Sequence, residues 1–324
     1  MFQLLRPVVA AWVVLWLGML VLAAEPAGEE AKAVAFVEKM EGRVEIDRDK
    51  PDKPVVGVDL VGCKVPDDAL ARLRALPKLQ RLNLSQAAIS DDGLAALKDL
   101  RKVEILDLSG TSLGDKGLAH LEGASQLKTV NLSGTAVRDA GLRSLQKLAH
   151  LQNLDLSGTG VGDAGLAHLE ELKELQTLYL YRTSITDAGL ARVKKIASLQ
   201  TLSLNGTAIG DAGLEHLAGL KELRTLTLSN TRVKGSGLSY LKALPHLQSL
   251  GLGQTPLNDD GLANVESLAH LRQLYLTGTQ ITDKGLPRLK ALKRLEQLDL
   301  GNTKVGDRAV ADLRSALPKL MVLR

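Results

Sequence analysis

The chain has 324 residues, with 41 Lys plus Arg against 37 Asp plus Glu, and a single cysteine, Cys63. Leucine fills 67 positions while Phe, Tyr and Trp together fill eight, so the aromatics that usually pack a compact core are missing. A net charge of +4 made of both signs argues against a nucleic acid partner, one cysteine excludes a disulfide scaffold, and 45% hydrophobic residues exclude a disordered chain.

Residues 1–24, MFQLLRPVVAAWVVLWLGMLVLAA, carry one charge at Arg6, then an uncharged apolar run ending in Ala23 and Ala24. That is the layout of a secretory signal peptide, although residues 7–24 also just reach the length of an anchor helix. Either reading puts the remainder outside the cytoplasm, secreted or periplasmic, with membrane contact only if the segment stays uncleaved. Within residues 29–40, Ala31, Val34, Val37 and Met40 recur every three residues and predict a helix that Gly42 stops. Val44 and Ile46 predict a short strand over 43–47. Residues 25–54 therefore read as a cap on the rest.

From residue 55 the sequence repeats every 24 residues, eleven times, with one extra residue just before Leu320. LQTLYLYRTSITDAGLARVKKIAS, residues 175–198, is representative. Positions one, four and six are aliphatic, and four and six share one face of a strand. Positions 16, 19 and 22 share one face of a helix. Each unit is too small to bury its own apolar faces, so the units must stack and share a core. Because adjacent strands sit closer together than adjacent helices, about 4.8 Å against about 8–10 Å, the stack bends toward its strands and makes that sheet concave.

Three polar columns set the turns. Position nine is Thr from Thr111 to Thr303, and Cys63 and Ala87 before that; its hydroxyl is placed to satisfy backbone groups of the turn. Position thirteen is Asp in every unit except the eighth, which has Gly235. Standing just before the helical residues, this Asp is expected to cap its own helix, so Gly235→Asp should stabilise by about 1 kcal/mol. Position fifteen is Gly except at Ala69 and Ala309, in the first and last units. This points to close packing between neighbours that is relaxed at the ends.

The pattern L-x-x-L-x-L-x-x-T-x-I-x-D-x-G-L-x-x-L-x-x-L-x-x resembles a leucine-rich repeat. It is similar to the cysteine-containing class of F-box proteins, two residues shorter and with Thr in the Cys column, where only Cys63 remains. It most resembles the multi-repeat secreted leucine-rich-repeat proteins of bacteria. The resemblance covers residues 55–324 and implies an α/β solenoid, a horseshoe with a concave parallel sheet and convex α-helices, that binds a protein or peptide on the sheet. Only residues 25–54 separate the leader from the repeats, so no F-box is expected.

Positions three, five and seven face the concave side. Position five reads Asp59, Asn83, Asp107, Asn131, Asp155, an acidic and amide ladder, and then Tyr179, with Tyr275 four units further on. Tyr181 and Arg182 stand beside the end of the ladder, where most units carry small residues. Tyr and Arg are enriched in binding hot spots, which makes Asp107, Asn131, Asp155, Tyr179, Tyr181, Arg182 and Tyr275 the candidate ligand face. No metal is expected: His120, His168 and His216 recur only in every second unit, too far apart for one ion. No cofactor is expected either, and no phosphate-loop, zincin or serine-hydrolase motif is present, which leaves no enzyme to argue for. The alternative role is self-assembly through the C-terminal edge, where residues 320–323 should add a last strand with little sequence to cover it.

Overall fold

The computed structural model describes residues 28–324; the leader reading of residues 1–24 lies outside the described residues. A helix, Glu29–Lys39, leads into strand β1, Arg43–Ile46, which pairs antiparallel with β2, Val55–Asp59. Eleven strands of three residues follow, from β3, Arg81–Asn83, through β12, Gln297–Asp299, to β13, Met321–Leu323. From β2 onward every neighbouring pair is parallel, in one sheet whose strand order is the order of the chain. The buried side of the first helix is centred on Ala33 and Val37, with Met40 partly buried, so it is rotated slightly from the expected Ala31, Val34 and Val37 stripe. Gly42 does more than stop that helix. A Cβ there would lie 2.5 Å from Leu60 Cδ2 and 2.8 Å from the Asp59 carbonyl, so only glycine lets the cap close onto β2.

The aliphatic columns form one continuous core. In the representative unit Leu175, Leu178, Leu180, Ile185, Leu190, Val193 and Ile196 are all fully buried or within 1% of it. The convex side departs from expectation. Most of its segments, such as Asp92–Asp99, Gly141–Lys147 and Ala212–Gly219, are 3-10 helix, and the α-helical pieces between the two ends are seven residues or shorter. The reason lies in the spacing: residues three apart eclipse one another in a 3-10 helix, so positions 16, 19 and 22 all point into the core.

The extra residue before Leu320 does not shift the sheet, because β12 and β13 pair Gln297 with Met321, still 24 residues apart. The last helix, Asp307–Ala316, is longer than its counterparts. The segment leading into β13 is shorter by the same residue, with Leu320 bonded to the Leu317 carbonyl and Met321 already to that of Glu296.

The Thr column behaves as expected. Thr111, Thr135, Thr159, Thr183 and their successors each donate a hydroxyl hydrogen to the carbonyl of position six, at 2.6–2.7 Å.

The Asp column does not. None of these carboxylates caps its own helix; from Asp91 to Asp283 each accepts from the backbone of the next unit, while Asp67 accepts from the Ser90 hydroxyl and Asp307, in the last unit, from Arg324. Gly114 N–H donates to Asp91 at 2.9 Å, Gly162 N–H to Asp139 at 2.6 Å, Thr186 N–H to Asp163 at 2.8 Å and Gly306 N–H to Asp283 at 2.6 Å. Local capping falls instead to position twelve: Ser90, Thr186 and Asn258 accept from N–H groups of their own first turn. The Gly column is the counterpart of the Asp ladder. A Cβ at Gly117, Gly141, Gly165, Gly189 or Gly213 would sit 2.3–2.6 Å from the Oδ1 of the preceding unit's Asp. These glycines are outside the left-handed region, so it is space, not backbone conformation, that excludes a side chain.

Gly235 marks the one break in the ladder. Its φ is 119°, and a Cβ would meet Gly261 Cα at 2.3 Å. The expected gain from Gly235→Asp is therefore reversed: the substitution strains the backbone and collides with the next unit, and it should lower the denaturant unfolding midpoint. Asp163→Ala removes two charge-assisted hydrogen bonds from Thr186 and should cost about 1–2 kcal/mol. Gly189→Ala should cost a similar amount, and the double variant less than the sum, because the clash of the second is with the carboxylate removed by the first. Equilibrium unfolding of the three variants checks the coupling.

Candidate functional site

Strand alternation places position five on the exposed side of the sheet, and the register brings its residues side by side. Asp107 pairs with Asn131, Asn131 with Asp155 and Asp155 with Tyr179. Beyond them the column runs in register through Ser203, Thr227 and Gly251 to Tyr275. Tyr275 is therefore four strands from Tyr179, about 19 Å at the ordinary strand spacing, and the candidate residues form a row with a gap in it.

The first part of the row is largely engaged with its own backbone. Asp107 Oδ1 accepts from Ser109 N–H at 2.9 Å, Asn131 Oδ1 from Ser133 N–H at 3.0 Å and Asp155 Oδ1 from Ser157 N–H at 2.8 Å. Asn131 Nδ2 also donates to Asp107 Oδ2 at 3.2 Å. These side chains close the ends of their strands as Asx turns, which leaves Asp155 Oδ2 the freest carboxylate oxygen beside the tyrosines.

The geometry changes at Tyr179. Tyr179 and Tyr181 are each 40% exposed, and the Arg182 guanidinium carbon lies 5.1 Å from the centre of the Tyr181 ring, within cation–π range. Arg182 occupies position eight, which takes a positive φ in every unit. Gly110, Gly134, Gly158 and Gly206 supply it without strain, whereas Arg182 holds φ 53°, as Gln86 and Gln254 do at 57° and 56°. Gly206, in the same column of the next unit, makes room for the pair: a Cβ there would come within 3.2 Å of Arg182 Cγ and 3.4 Å of Tyr181 Cε2. The recurrence of Gly and Asn at position eight was the sequence signal for this conformation. Arg182→Gly should raise stability by about 0.5–1 kcal/mol by relieving the left-handed strain, measurable as a higher unfolding midpoint, while removing the cation stacked on Tyr181.

Other groups are less suited to a site. Burial first, and then the charges of Asp59 and Glu41, push the Cys63 thiol up, away from the reactive thiolate form. No group of three or more His, Cys, Asp or Glu among the described residues is placed to hold a metal ion, and no described helix is long and apolar enough to cross a membrane. A cleft of about 510 Å³ opens where the Asp ladder breaks, lined by Asp211, Lys234, Ser236, Asn258 and Asn264. Asp211 there already accepts from the N–H groups of Lys234, Gly235 and Gly237. The C-terminal edge is partly closed: Val322, whose carbonyl faces away from β12, accepts from Arg314 Nη2 at 3.3 Å, and Arg324 bonds Asp307 and the Val305 carbonyl.

The "Leucine Rich repeat" family model matches residues 75–98, 99–121, 147–169, 195–218 and 267–287. An internalin of Listeria monocytogenes superposes with a TM-score of 0.65 at 19% identity, over 94% of this chain and 98% of that one. A leucine-rich-repeat protein of Leptospira interrogans does so with a TM-score of 0.55 at 19% identity, over 78% and 74%. A plant peptide hormone receptor, RGFR1, solved in complex with RGF2, gives 0.52 at 19% identity, over 87% of this chain and 47% of the receptor. No curated protein sequence matches the chain. Strand order, core columns and these similarities together define an α/β leucine-rich-repeat solenoid. The chain is a multi-repeat leucine-rich-repeat protein, a class made up in general of binding scaffolds without catalytic activity.

Proposed function

We propose that the chain is a non-catalytic recognition scaffold that holds a protein or peptide partner outside the cytoplasm, on the concave sheet, centred on Asp155, Tyr179, Tyr181 and Arg182. The observation that carries this reading is the exposed tyrosine pair with Arg182 stacked against it, held in a left-handed backbone that glycine would occupy at lower cost. Tyrosine offers broad area with a polar tip at low rotamer cost, arginine is enriched beside it in binding hot spots, and Asp155 adds a carboxylate next to them. A solenoid of this fold is solved with RGF2 in a peptide hormone receptor, which supports a peptide or protein as the partner class. The extracytoplasmic location rests on the composition of residues 1–24.

The rival surface, the edge of β13, exposes Met321 and Leu323 but presents its outward carbonyl already bonded to Arg314. That contact works against strand pairing with a second copy and favours the sheet face. Replacing Tyr179 and Tyr181 together by Ala should abolish capture of the partner in a pull-down from the native extracellular fraction while leaving the unfolding midpoint unchanged. Capture that survives the double substitution refutes the location.

A further inference from the structure

In the five units whose strands run from Thr177–Tyr179 to Gln273–Tyr275, no outward residue at positions three, five or seven is charged. Tyr179 stands at one end of this stretch and Tyr275 at the other, and between them the floor is Ser203, Thr227 and Gly251. Beside that floor the register aligns the hydroxyls of Thr177, Thr201, Thr225 and Ser249. Ser249 retains only 9% of its surface, faces the trough because Leu250 next to it fills the core, and has no side-chain hydrogen-bond partner among the described residues. No fully buried side-chain oxygen among the described residues lacks a partner, so this hydroxyl meets solvent in the trough and is available to a ligand there. The backbone adds to this capacity. The N–H groups of Tyr181, Asn205, Gly253 and Thr277 correspond to those that Asn83, Asp107, Asn131 and Asp155 satisfy in the earlier units. Here they have no acceptor among the described residues.

We propose that this trough binds a linear, uncharged oligosaccharide lying along the solenoid axis. The proposal rests on the reading of the concave sheet as the binding face, and it names the chemistry by which the partner is held: a neutral glycan chain that it carries. Sugar hydroxyls and ring oxygens can donate to and accept from the Thr and Ser row and accept from the idle N–H groups. The apolar C–H faces of the rings match the tyrosine faces at the two ends. Spacing decides between a sugar chain and a bare peptide. An extended peptide repeats its side chains on one face every second residue, about 6.6–6.8 Å, out of step with strands about 4.8 Å apart. One pyranose unit of a linear chain advances by close to one strand spacing, so successive sugars meet successive strands. None of the outward residues at positions three, five and seven is charged, and Arg182 at the edge of the trough is stacked on Tyr181, so the floor offers no row of cations to neutralise a uronate or sulfated chain.

The test is calorimetric titration of the full chain with linear hexasaccharides of glucose, mannose and N-acetylglucosamine. A hexagalacturonate and an uncharged extended peptide form the comparison arms. Binding of at least one neutral hexasaccharide is expected, insensitive to salt, weakened on the order of tenfold by Ser249→Ala and by Tyr275→Ala, with the unfolding midpoint of both variants unchanged. Failure of every neutral chain to bind, binding that both variants retain, or binding of the uronate or the peptide alone overturns the proposal. If the neutral chains fail while Tyr179 and Tyr181 still govern partner capture, only the glycan assignment falls. If a neutral chain binds at Ser249 and Tyr275 while partner capture ignores Tyr179 and Tyr181, the protein or peptide reading falls by itself.

Discussion

The structure depends on a bond that crosses from one unit to the next. From Asp91 to Asp283 the carboxylates at position thirteen reach forward to a backbone N–H of the following turn, and most of the glycines at position fifteen leave the volume that the carboxylate fills. Leucine burial supplies most of the attraction between units but has little direction, since apolar side chains tolerate sliding and repacking. The carboxylate and its N–H partner fix the distance and register that the leucines alone would leave loose. The three-residue strands, the 3-10 segments and the left-handed turn at position eight are short, local solutions that such a fixed pitch makes stable.

Much of the fold was legible in the sequence because the columns carry it. The 24-residue period, the aliphatic positions and the Thr column each have one physical solution, and Thr111, Thr135 and their successors bond as their position implied. The Asp column had two solutions. A carboxylate just before a helix reads as a cap of that helix, and a repeating sequence does not distinguish a contact inside one unit from the same contact displaced by about one period. A signal for the second was present at Ala69, whose unit has no preceding Asp, while Ala309, which follows Asp283, shows that glycine is also dispensable in the last unit. The 3-10 geometry was legible too, in the strict spacing of three, but that spacing is compatible with a short α-helix and was read as one.

The exposed face was less legible than the core. Alternation placed Asp107, Asn131, Asp155, Tyr179, Tyr181 and Tyr275 on it, and the register aligns all but Tyr181, which lies just past its strand. The sequence could not tell which polar groups were already spent on the protein's own turns. Asp107, Asn131 and Asp155 close their own strand ends, whereas the Ser and Thr residues further along have no such duty. The residues that looked most like ligand contacts are thus partly structural, and the blandest stretch of the face holds the unmet hydrogen-bonding capacity. Arg182 belongs to both accounts, since its backbone conformation is set by the turn and its side chain by Tyr181.

The forward reach of the carboxylates also gives the solenoid a direction. A unit exposed by trimming from the C-terminal side loses only a neighbour for its Asp, which can turn to water. A unit exposed by trimming from the N-terminal side keeps a backbone N–H with its acceptor gone and a glycine facing an empty volume. The two faces of any joint are therefore chemically different: one presents carboxylate acceptors and the other backbone donors, so a face of one kind matches only a face of the other.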